Sequence, residues 1–250
     1  MLPAVLKQYS RFASGLINTC ARIAGRRCAA CTAVITDHQP GIIFCPECIG
    51  ELQVRRGGFC GMCARIYALE DESTHFCLEC RNRPFSWHGM AFFSVYQGLL
   101  KDMITRFKFN GDLGLGRALG HLLLEAASFH AYENIDFILP VPLHPVRLKA
   151  RGFNQSLELS RILGRRINLP VLKDVLIKTK HTSPQSSMDR KLRLKSLKNV
   201  FEVRGNMAKH KNVLLVDDIM TTGSTLDECT KALLKAGASE VRIVFLARAA

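Results

Sequence analysis

The sequence has no run of eighteen consecutive apolar residues, so no membrane-spanning helix is expected. It also lacks two common phosphate-binding patterns, the G-x-x-x-x-G-K-[ST] loop and a G-x-G-x-x-G turn after a strand. Acidic residues are few, 21 against 35 lysines and arginines, which gives a formal net charge of +14. With 250 residues, the chain can form one main hydrophobic core and one small additional module.

The positive charge is distributed unevenly. Residues 1–80 contain eight basic and seven acidic residues, whereas residues 81–250 contain 27 and 14. The excess is largest between Lys173 and Lys211, where eleven basic residues stand against three acidic ones. Such a stretch binds a small polyanion or a nucleic-acid backbone, or it simply faces water. The sequence favours the polyanion and leaves nucleic acid open.

Eight of the ten cysteines form a tandem repeat. They read Cys28-x-x-Cys31, Cys45-x-x-Cys48, Cys60-x-x-Cys63 and Cys77-x-x-Cys80. Thirteen residues separate the two pairs of each half, and every cysteine of the first half recurs 32 residues later. No secretory signal precedes them, so a disulfide framework is not expected. Four Cys-x-x-Cys turns are typical of two zinc ribbons, each with four thiolates around one tetrahedral ion.

We therefore predict two structural Zn²⁺ ions, one for each half of the repeat. Sequential pairing is the preferred arrangement, and crossed pairing between the halves is the alternative. His38 and His75 do not recur at the repeat interval and are interpreted as surface residues. Cys20 and Cys229 are interpreted as buried small apolar residues. Because the ribbons contain few large apolar residues, chelation should unfold them, and we expect the rest of the protein to be spared.

Residues 213–225 combine a strand, a turn and the start of a helix. Four apolar residues precede Asp217 and Asp218, and a run of hydroxyls with one glycine follows them. Two capping-box patterns, Ser224 with Asp227 and Thr225 with Glu228, indicate a helix that ends before Gly237. The turn presents N–H groups and hydroxyls to an anion, with the helix N-terminus behind them.

Two carboxylates beside a phosphate site repel phosphate, but they accept hydrogen bonds from neighbouring hydroxyls. A ribose 5-phosphate has both groups, so the motif predicts a phosphate–ribose site. The alternative is a buried strand that ends in a solvated acidic turn.

The remaining pattern of residues 85–250 predicts strands that alternate with helices. The predicted strands are 91–95, 135–141, 171–177, 213–216 and 241–246, and the longer predicted helices are 115–127, 153–167 and 224–236. This order is typical of a parallel sheet, in which ligands bind beyond the carboxyl ends of the strands. The turn after Val141 and the Asp217 turn should therefore lie at the same edge.

The strand–acid–loop motif resembles the signature of type I phosphoribosyltransferases. The resemblance implies that Asp217 and Asp218 bind the ribose hydroxyls of phosphoribosyl pyrophosphate, with Mg²⁺ accompanying the ligand. It implies that the 5-phosphate binds at Thr221, Thr222, Gly223, Ser224 and Thr225. The loop after Val141 then holds the pyrophosphate, with candidates His144, Arg147, Lys149 and Arg151. A hood over the ligand contributes Arg190, Arg193, Lys195 and Lys198, which alternatively bind a nucleic-acid strand or face water.

Two zinc ribbons followed by this domain, together with the run Arg-Gly-Phe-Asn-Gln-Ser at residues 151–156, resemble the ComF family. The resemblance implies an α/β fold, a parallel-sheet type I phosphoribosyltransferase-like domain preceded by a small four-cysteine double zinc-ribbon module. The expected domains are an N-terminal helix (1–24), the double ribbon (25–84) and the phosphoribosyltransferase-like domain (85–250). A transit peptide or surface-membrane helix is the alternative for residues 1–24.

Two functions follow from the resemblance. The first is a competence protein of natural transformation that handles incoming single-stranded DNA in the cytoplasm, with a DNA-uptake partner docking on the ribbons. Trp87 is a candidate for base stacking, together with Phe85, Phe92, Phe93 and Tyr96, unless these rings form the core of the first strand. The second is an active phosphoribosyltransferase for an amine or base acceptor. Reduced, metal-binding cysteines favour the cytoplasm in either case.

Overall fold

The computed structural model of the protein describes residues 26–35, 41–67, 74–109, 111–129, 134–180 and 200–249. The predicted N-terminal helix (1–24) and the hood residues Arg190, Arg193, Lys195 and Lys198 lie outside this part of the chain, as do His38 and Cys20. Contacts divide the chain into two units between Leu52 and Gln53. The domain boundaries expected from the sequence stay a prediction.

The first unit contains the first cysteine repeat. Strands β1 (Arg26–Arg27) and β2 (Val34–Ile35) pair antiparallel on either side of the first Cys-x-x-Cys turn. Helix α1 (Pro46–Glu51) starts immediately after Cys45, and Pro46 favours this start because its φ is already helical. Few large apolar side chains are buried here, so the cysteines themselves form much of the interior.

The second unit begins with the second repeat and continues into the main sheet. Strands β3 (Phe59–Cys60) and β4 (Thr74–His75) pair in parallel, and helix α2 (Leu78–Asn82) starts after Cys77. The Phe59 ring packs edge-on against Phe92 of the main sheet, with 4.9 Å between centroids. This ribbon is thus continuous with the hydrophobic core of the α/β fold.

The main sheet contains four strands, β5 (Gly89–Val95), β6 (Phe137–Pro140), β9 (Asn212–Met220) and β10 (Glu240–Arg248). They are all parallel and lie in the order β5-β10-β9-β6. A separate antiparallel pair joins β7 (Leu176–Lys178) to β8 (Phe201–Val203). The predicted fold class, a parallel α/β sheet preceded by two four-cysteine modules, is confirmed.

Five helices of the described residues accompany the sheet. They are α3 (Gly98–Phe109), α4 (Gly114–Ser128), α5 (Pro145–Arg151), α6 (Gln155–Ile167) and α7 (Ser224–Lys235). Helices α4 and α6 approach closely at Gly120, where a Cβ atom would lie 2.4 Å from Ile162 Cγ2. Within the described residues, every helix is too short or too polar to cross a bilayer.

Two strands differ from their predicted bounds by more than two residues. Strand β9 was expected to end at Val216, but it continues to Met220 because β10 pairs with it as far as Arg248. On its other side, β6 pairs only as far as Pro140 opposite Val216. The segment predicted as strand 171–177 contributes only β7 and an isolated bridge between Val171 and Ile138.

Candidate functional site

The paired acids lie in the last part of β9, beyond the end of the neighbouring strand β6. The backbone N–H of Val141 donates to Val216 O at 2.9 Å, and this is the last main-chain bond between the two segments. Pro140 and Pro142 have no N–H to extend the ladder. Asp217 and Asp218 therefore lie where the sheet edge opens, beyond the last main-chain bond to β6, which is where parallel sheets bind ligands.

Residues of the 151–156 motif complete one side of this opening. Ser156 Oγ donates to Asp217 Oδ1 at 2.9 Å, and Ser156 is buried at the start of α6. Asn154 caps the same helix by accepting from Ser156 N at 3.0 Å, and its Nδ2 donates to Val141 O at 3.1 Å. The motif thus fixes helix α6, the turn after β6 and the first acid relative to one another.

A lysine from helix α3 closes the other side. Lys108 Nζ lies 2.6 Å from Asp218 Oδ2, an ion pair whose orientation is not that of a hydrogen bond. The two side chains are only 16% and 8% exposed. An ion pair this well shielded from solvent holds the second carboxylate in place.

Burial and the neighbouring charge of Asp218 raise the pKa of Asp217 to about 7. The Lys108 charge and the Ser156 hydroxyl oppose this shift. Burial also lowers the pKa of Lys178, and Asp217 opposes that change. Two carboxylates held close in a desolvated site favour a ligand that brings hydrogen-bond donors or a divalent cation.

The loop after β9, residues 221–225 and named here the phosphate loop, surrounds a cavity of about 40 Å³. The cavity is lined by Asp217, Ile219, Met220, Thr221, Gly223, Ser224, Thr225 and Leu226. Gly223 has a φ of 78°, a left-handed conformation that favours glycine, and it is the N-cap of α7. Hydroxyls and the first N–H groups of a helix thus surround one small space, as a phosphate group requires.

The two predicted capping boxes are wrong, since α7 has no side-chain cap. Asp227 instead accepts from Ser86 N at 2.8 Å and pairs with Lys231 at 2.6 Å. The hydroxyl of Thr222 lies 2.9 Å from that of Ser224. The N-cap Gly223 offers no side chain to α7, and the N–H of Ser224 makes a long hydrogen bond of 3.4 Å to Thr222 Oγ1.

The predicted pyrophosphate loop folds as helix α5, which buries none of its residues. His144 is the N-cap, and its Nδ1 accepts from Val146 N at 3.3 Å. The guanidinium of Arg151 lies over the exposed ring of Phe109, 5.2 Å from its centroid. Burial lowers the pKa of Arg151, and the Asp218 carboxylate opposes that shift. Arg147, Lys149 and Arg151 give this helix three cations and no acid.

The cysteines assemble in the sequential arrangement. One cluster contains Cys28, Cys31, Cys45 and Cys48, and the other contains Cys60, Cys63, Cys77 and Cys80. Within each cluster, the four sulfurs lie within 4.8 Å of one another. The distance is 3.6 Å between the sulfurs of Cys31 and Cys45 in the first cluster, and 3.8 Å between those of Cys63 and Cys77 in the second. Four bonds of about 2.3 Å to a tetrahedral zinc ion place the sulfurs about 3.8 Å apart, so the geometry fits that ion.

Corresponding hydrogen bonds repeat in the two clusters. Cys45 N donates to Cys28 Sγ at 3.3 Å, and Cys77 N donates to Cys60 Sγ at 3.3 Å. Burial opposes ionisation of the two acceptors, but backbone donors lower the pKa of Cys28 to about 6 and that of Cys60 to about 7. Burial and the Cys60 charge raise the pKa of Cys63 to about 11. A divalent cation lets all four thiols of such a cluster ionise together.

Trp87 is 3% exposed, so the prediction that it offers a surface for base stacking is wrong. Its ring is stacked on Phe85, and its Nε1 donates to Met62 O at 3.0 Å. Phe92 and Phe93 are buried in the sheet core, as the alternative interpretation expected. Cys229 is buried and His75 is exposed, both as predicted, and the His75 ring stacks on Tyr67.

Sequence reasoning missed three residues of the site: Lys108, Ser156 and Lys178. Ser156 stood inside the quoted 151–156 motif, so its position gave a signal that was not used. No sequence signal marked Lys108 or Lys178, because lysines at the ends of helices and strands are common on protein surfaces. The roles predicted for the phosphate loop and the basic residues of α5 remain predictions.

Comparison of the sequence with known proteins identifies relatives of this chain. Residues 151–250 match the family model described as phosphoribosyl transferase domain. Competence protein F of Haemophilus influenzae is 34% identical over 222 residues, which cover 82% of this chain and 96% of that protein. DNA utilization protein YhgH of Escherichia coli is 30% identical, covering 84% and 97%. Competence protein ComFC of Bacillus subtilis is 29% identical, covering 80% and 81%.

Proposed function

The chain belongs to the ComF family of competence proteins, and on that premise we propose that it handles incoming single-stranded DNA in the cytoplasm during natural transformation. It does so with phosphoribosyl pyrophosphate bound together with Mg²⁺ at the edge of the parallel sheet. Two structural Zn²⁺ ions hold the cysteine clusters. A protein of the DNA-uptake machinery docks on the ribbons.

One observation carries the sugar-phosphate part of the proposal: the acid pair and the phosphate loop lie at consecutive positions on one strand end. Asp217 and Asp218 accept from a diol, and the cavity of about 40 Å³ beside Thr221 and Ser224 accommodates a phosphate group. The carboxylates also supply oxygen ligands of the kind that Mg²⁺ uses alongside substrate phosphates. A ligand with a diol, a phosphate group and a bound Mg²⁺ matches both the acid pair and the phosphate loop.

An exposed ring beside the same edge supports the DNA part. Phe109 is 69% exposed and follows Lys108, and Arg151 lies over its ring. The helix that carries Arg151 also exposes Val146 and Leu148, the two residues that flank Arg147. An aromatic platform within a cationic, partly apolar surface is the arrangement that stacks bases and follows a phosphate backbone.

The sugar-phosphate site is tested by calorimetric titration of phosphoribosyl pyrophosphate in the presence of Mg²⁺. Replacing both acids, Asp217→Asn with Asp218→Asn, should weaken binding by at least about tenfold, because two charge-assisted hydrogen bonds contribute about 1.5–3 kcal/mol each. Asp102→Asn, on the exposed part of α3, is the control. Equal affinity of the wild type and the double variant would refute the assignment.

The DNA surface is tested with a fluorescently labelled single strand at several salt concentrations. Phe109→Ala should weaken binding by about five- to a hundredfold, since stacking of one base contributes about 1–3 kcal/mol. Phe129→Ala is a matched control, because that ring is 47% exposed and lies under Arg56 at 5.2 Å. If both variants bind equally well, Phe109 is not the platform. If the double acid variant keeps the DNA affinity of the wild type, DNA and phosphoribosyl pyrophosphate bind to different residues.

The alternative function, an active phosphoribosyltransferase, makes a separate prediction. Amines and bases screened as acceptors would then release pyrophosphate in a manner that depends on Asp217 and Asp218.

The ribbon partner is tested at Leu78, which is 75% exposed on the second ribbon beside exposed Phe76. Leu78→Asp should lower transformation frequency in cells and leave DNA affinity in solution unchanged.

A further inference from the structure

The second cysteine cluster and the phosphate loop lie on opposite sides of Trp87. The Trp87 Nε1 donates to Met62 O at 3.0 Å, and Met62 lies inside the Cys60-x-x-Cys63 turn. On the other side, a Cβ atom on Gly223 would lie 3.2 Å from Trp87 Cη2 and 3.0 Å from Phe85 Cζ. The backbone of the phosphate loop thus rests directly on two stacked rings, one of which is hydrogen-bonded to the cysteine turn.

Two further connections run in parallel with the first. Arg248 Nε donates to Cys63 O at 2.9 Å, and Nη1 of the same guanidinium donates to Met220 O at 3.3 Å. Ser86 N, next to Trp87, donates to Asp227 Oδ1 at 2.8 Å in the first turn of α7. The start of the phosphate loop is therefore joined to the cysteine turn through Arg248, and the residues after its end are joined to Ser86, the neighbour of Trp87.

A cation shared by the four sulfurs would fix the geometry of the cysteine turn. All four cysteines of this cluster are buried, and without a cation their thiolates would repel one another. The two carbonyls that accept from Trp87 and Arg248 belong to Met62 and Cys63. Their positions thus depend directly on metal coordination at Cys60 and Cys63.

We propose that Trp87 is a positioning residue of the phosphate loop, through which the ion of the second cysteine cluster tightens phosphoribosyl binding. The ligand named here rests on the proposed function, whereas the coupling of cluster and loop does not. The sequence led to the opposite expectation, that loss of metal spares the sugar site, because cysteine spacing indicates a separate module. Trp87, Arg248 and Ser86 instead make the second cluster part of the wall behind the loop.

The test uses the full chain with its ions bound and the variant Trp87→Phe, which keeps an aromatic ring against Phe85. The variant removes both the N–H donor to Met62 O and the Cη2 edge of the ring that faces Gly223. One lost hydrogen bond of about 1 kcal/mol should weaken calorimetric affinity for Mg²⁺–phosphoribosyl pyrophosphate by about fivefold. Amide hydrogen exchange in residues 221–227 should rise while the metal content stays unchanged. Ser128→Ala is the control, since it also removes one side-chain bond to a carbonyl, that of Glu125, and should leave both quantities as in the wild type.

A second arm removes the ions with a chelator and follows exchange in the phosphate loop of both proteins. Chelation should raise exchange in the wild type and raise it less in Trp87→Phe, where one of the three connections is already cut and those through Arg248 and Ser86 remain. A purely structural role of Trp87 predicts equal increments. Because Trp87 is the one tryptophan of the sequence, its emission in the wild type reports the same event.

The outcomes separate the two proposals. If Trp87→Phe keeps wild-type affinity and wild-type loop exchange, the positioning role is refuted. If phosphoribosyl pyrophosphate binds neither protein, the proposed function fails, and the exchange measurements still decide the coupling. If chelation unfolds the whole sheet, the comparison of the two metal-loaded proteins decides alone.

Discussion

Replacement of Lys108 by methionine removes the cation that faces Asp218. Methionine is an unbranched apolar side chain one atom shorter than lysine, so the main change is the loss of the charged amino group. Lys108 and Asp218 lie 2.6 Å apart and are 16% and 8% exposed. Removing one partner of a buried ion pair costs about 3–5 kcal/mol. We expect the lower end, about 3 kcal/mol, because Arg151 also interacts with Asp218.

The loss should depend on pH in a defined direction. Burial and Asp218 raise the pKa of Asp217 from 3.8 to about 7, so this acid contributes less to stability as pH rises between those values. Lys108 opposes the shift, so its removal raises the pKa of Asp217 further. Lys178 and Cys229 also face this acid and remain in the variant. The variant should therefore lose most stability near pH 8 and recover part of it near pH 5.

The assay is denaturant unfolding followed by far-ultraviolet circular dichroism at about pH 5 and about pH 8. Lys101→Met is the matched control, because Lys101 is exposed on the same helix and should change the unfolding free energy by less than about 0.5 kcal/mol. Comparing two variants at each pH removes any effect of pH on metal binding that they share. The reasoning is refuted if Lys108→Met loses no more than the control, or if its loss does not shrink at the lower pH.

Three other expectations follow from the same contacts. Ser156→Ala removes the hydroxyl that donates to Asp217 and should lower the unfolding free energy by about 1.5–3 kcal/mol in denaturant titrations; an unchanged value would contradict the bond. Gly164→Ala places a Cβ atom 2.7 Å from Leu169 O and should cost about 1–3 kcal/mol in the same assay, whereas a neutral result would mean that α6 shifts freely. Metal analysis of the purified protein should give two zinc ions per chain, one for each cluster, and a count of one would exclude a double ribbon.

The elements that could be predicted are those whose signal is local. The alternating apolar and polar pattern gave β5, β10, α4 and α6 within about two residues, and the 32-residue cysteine repeat gave the membership of both clusters. The predicted capping boxes failed because Asp227 finds a better partner in Ser86, which is 141 residues away in sequence. A pattern of four neighbouring residues does not show that a residue distant in sequence will bind one of them.

The sequence by itself determined the chemistry of the protein: two sets of four thiols at metal-ligand spacing, and two acids followed by a hydroxyl-rich loop at a helix start. Spacing suffices within each Cys-x-x-Cys pair and along residues 217–225, because only a few residues separate these groups, whereas the pairing of one Cys-x-x-Cys turn with the next was decided by the tertiary structure. Only the tertiary structure decided which residues from distant segments join them. Lys108 against Asp218, and Trp87 between Met62 and Gly223, depend on how the helices and the second ribbon pack on the sheet. Packing depends on the shape of the whole core, and no short stretch of sequence contains that information.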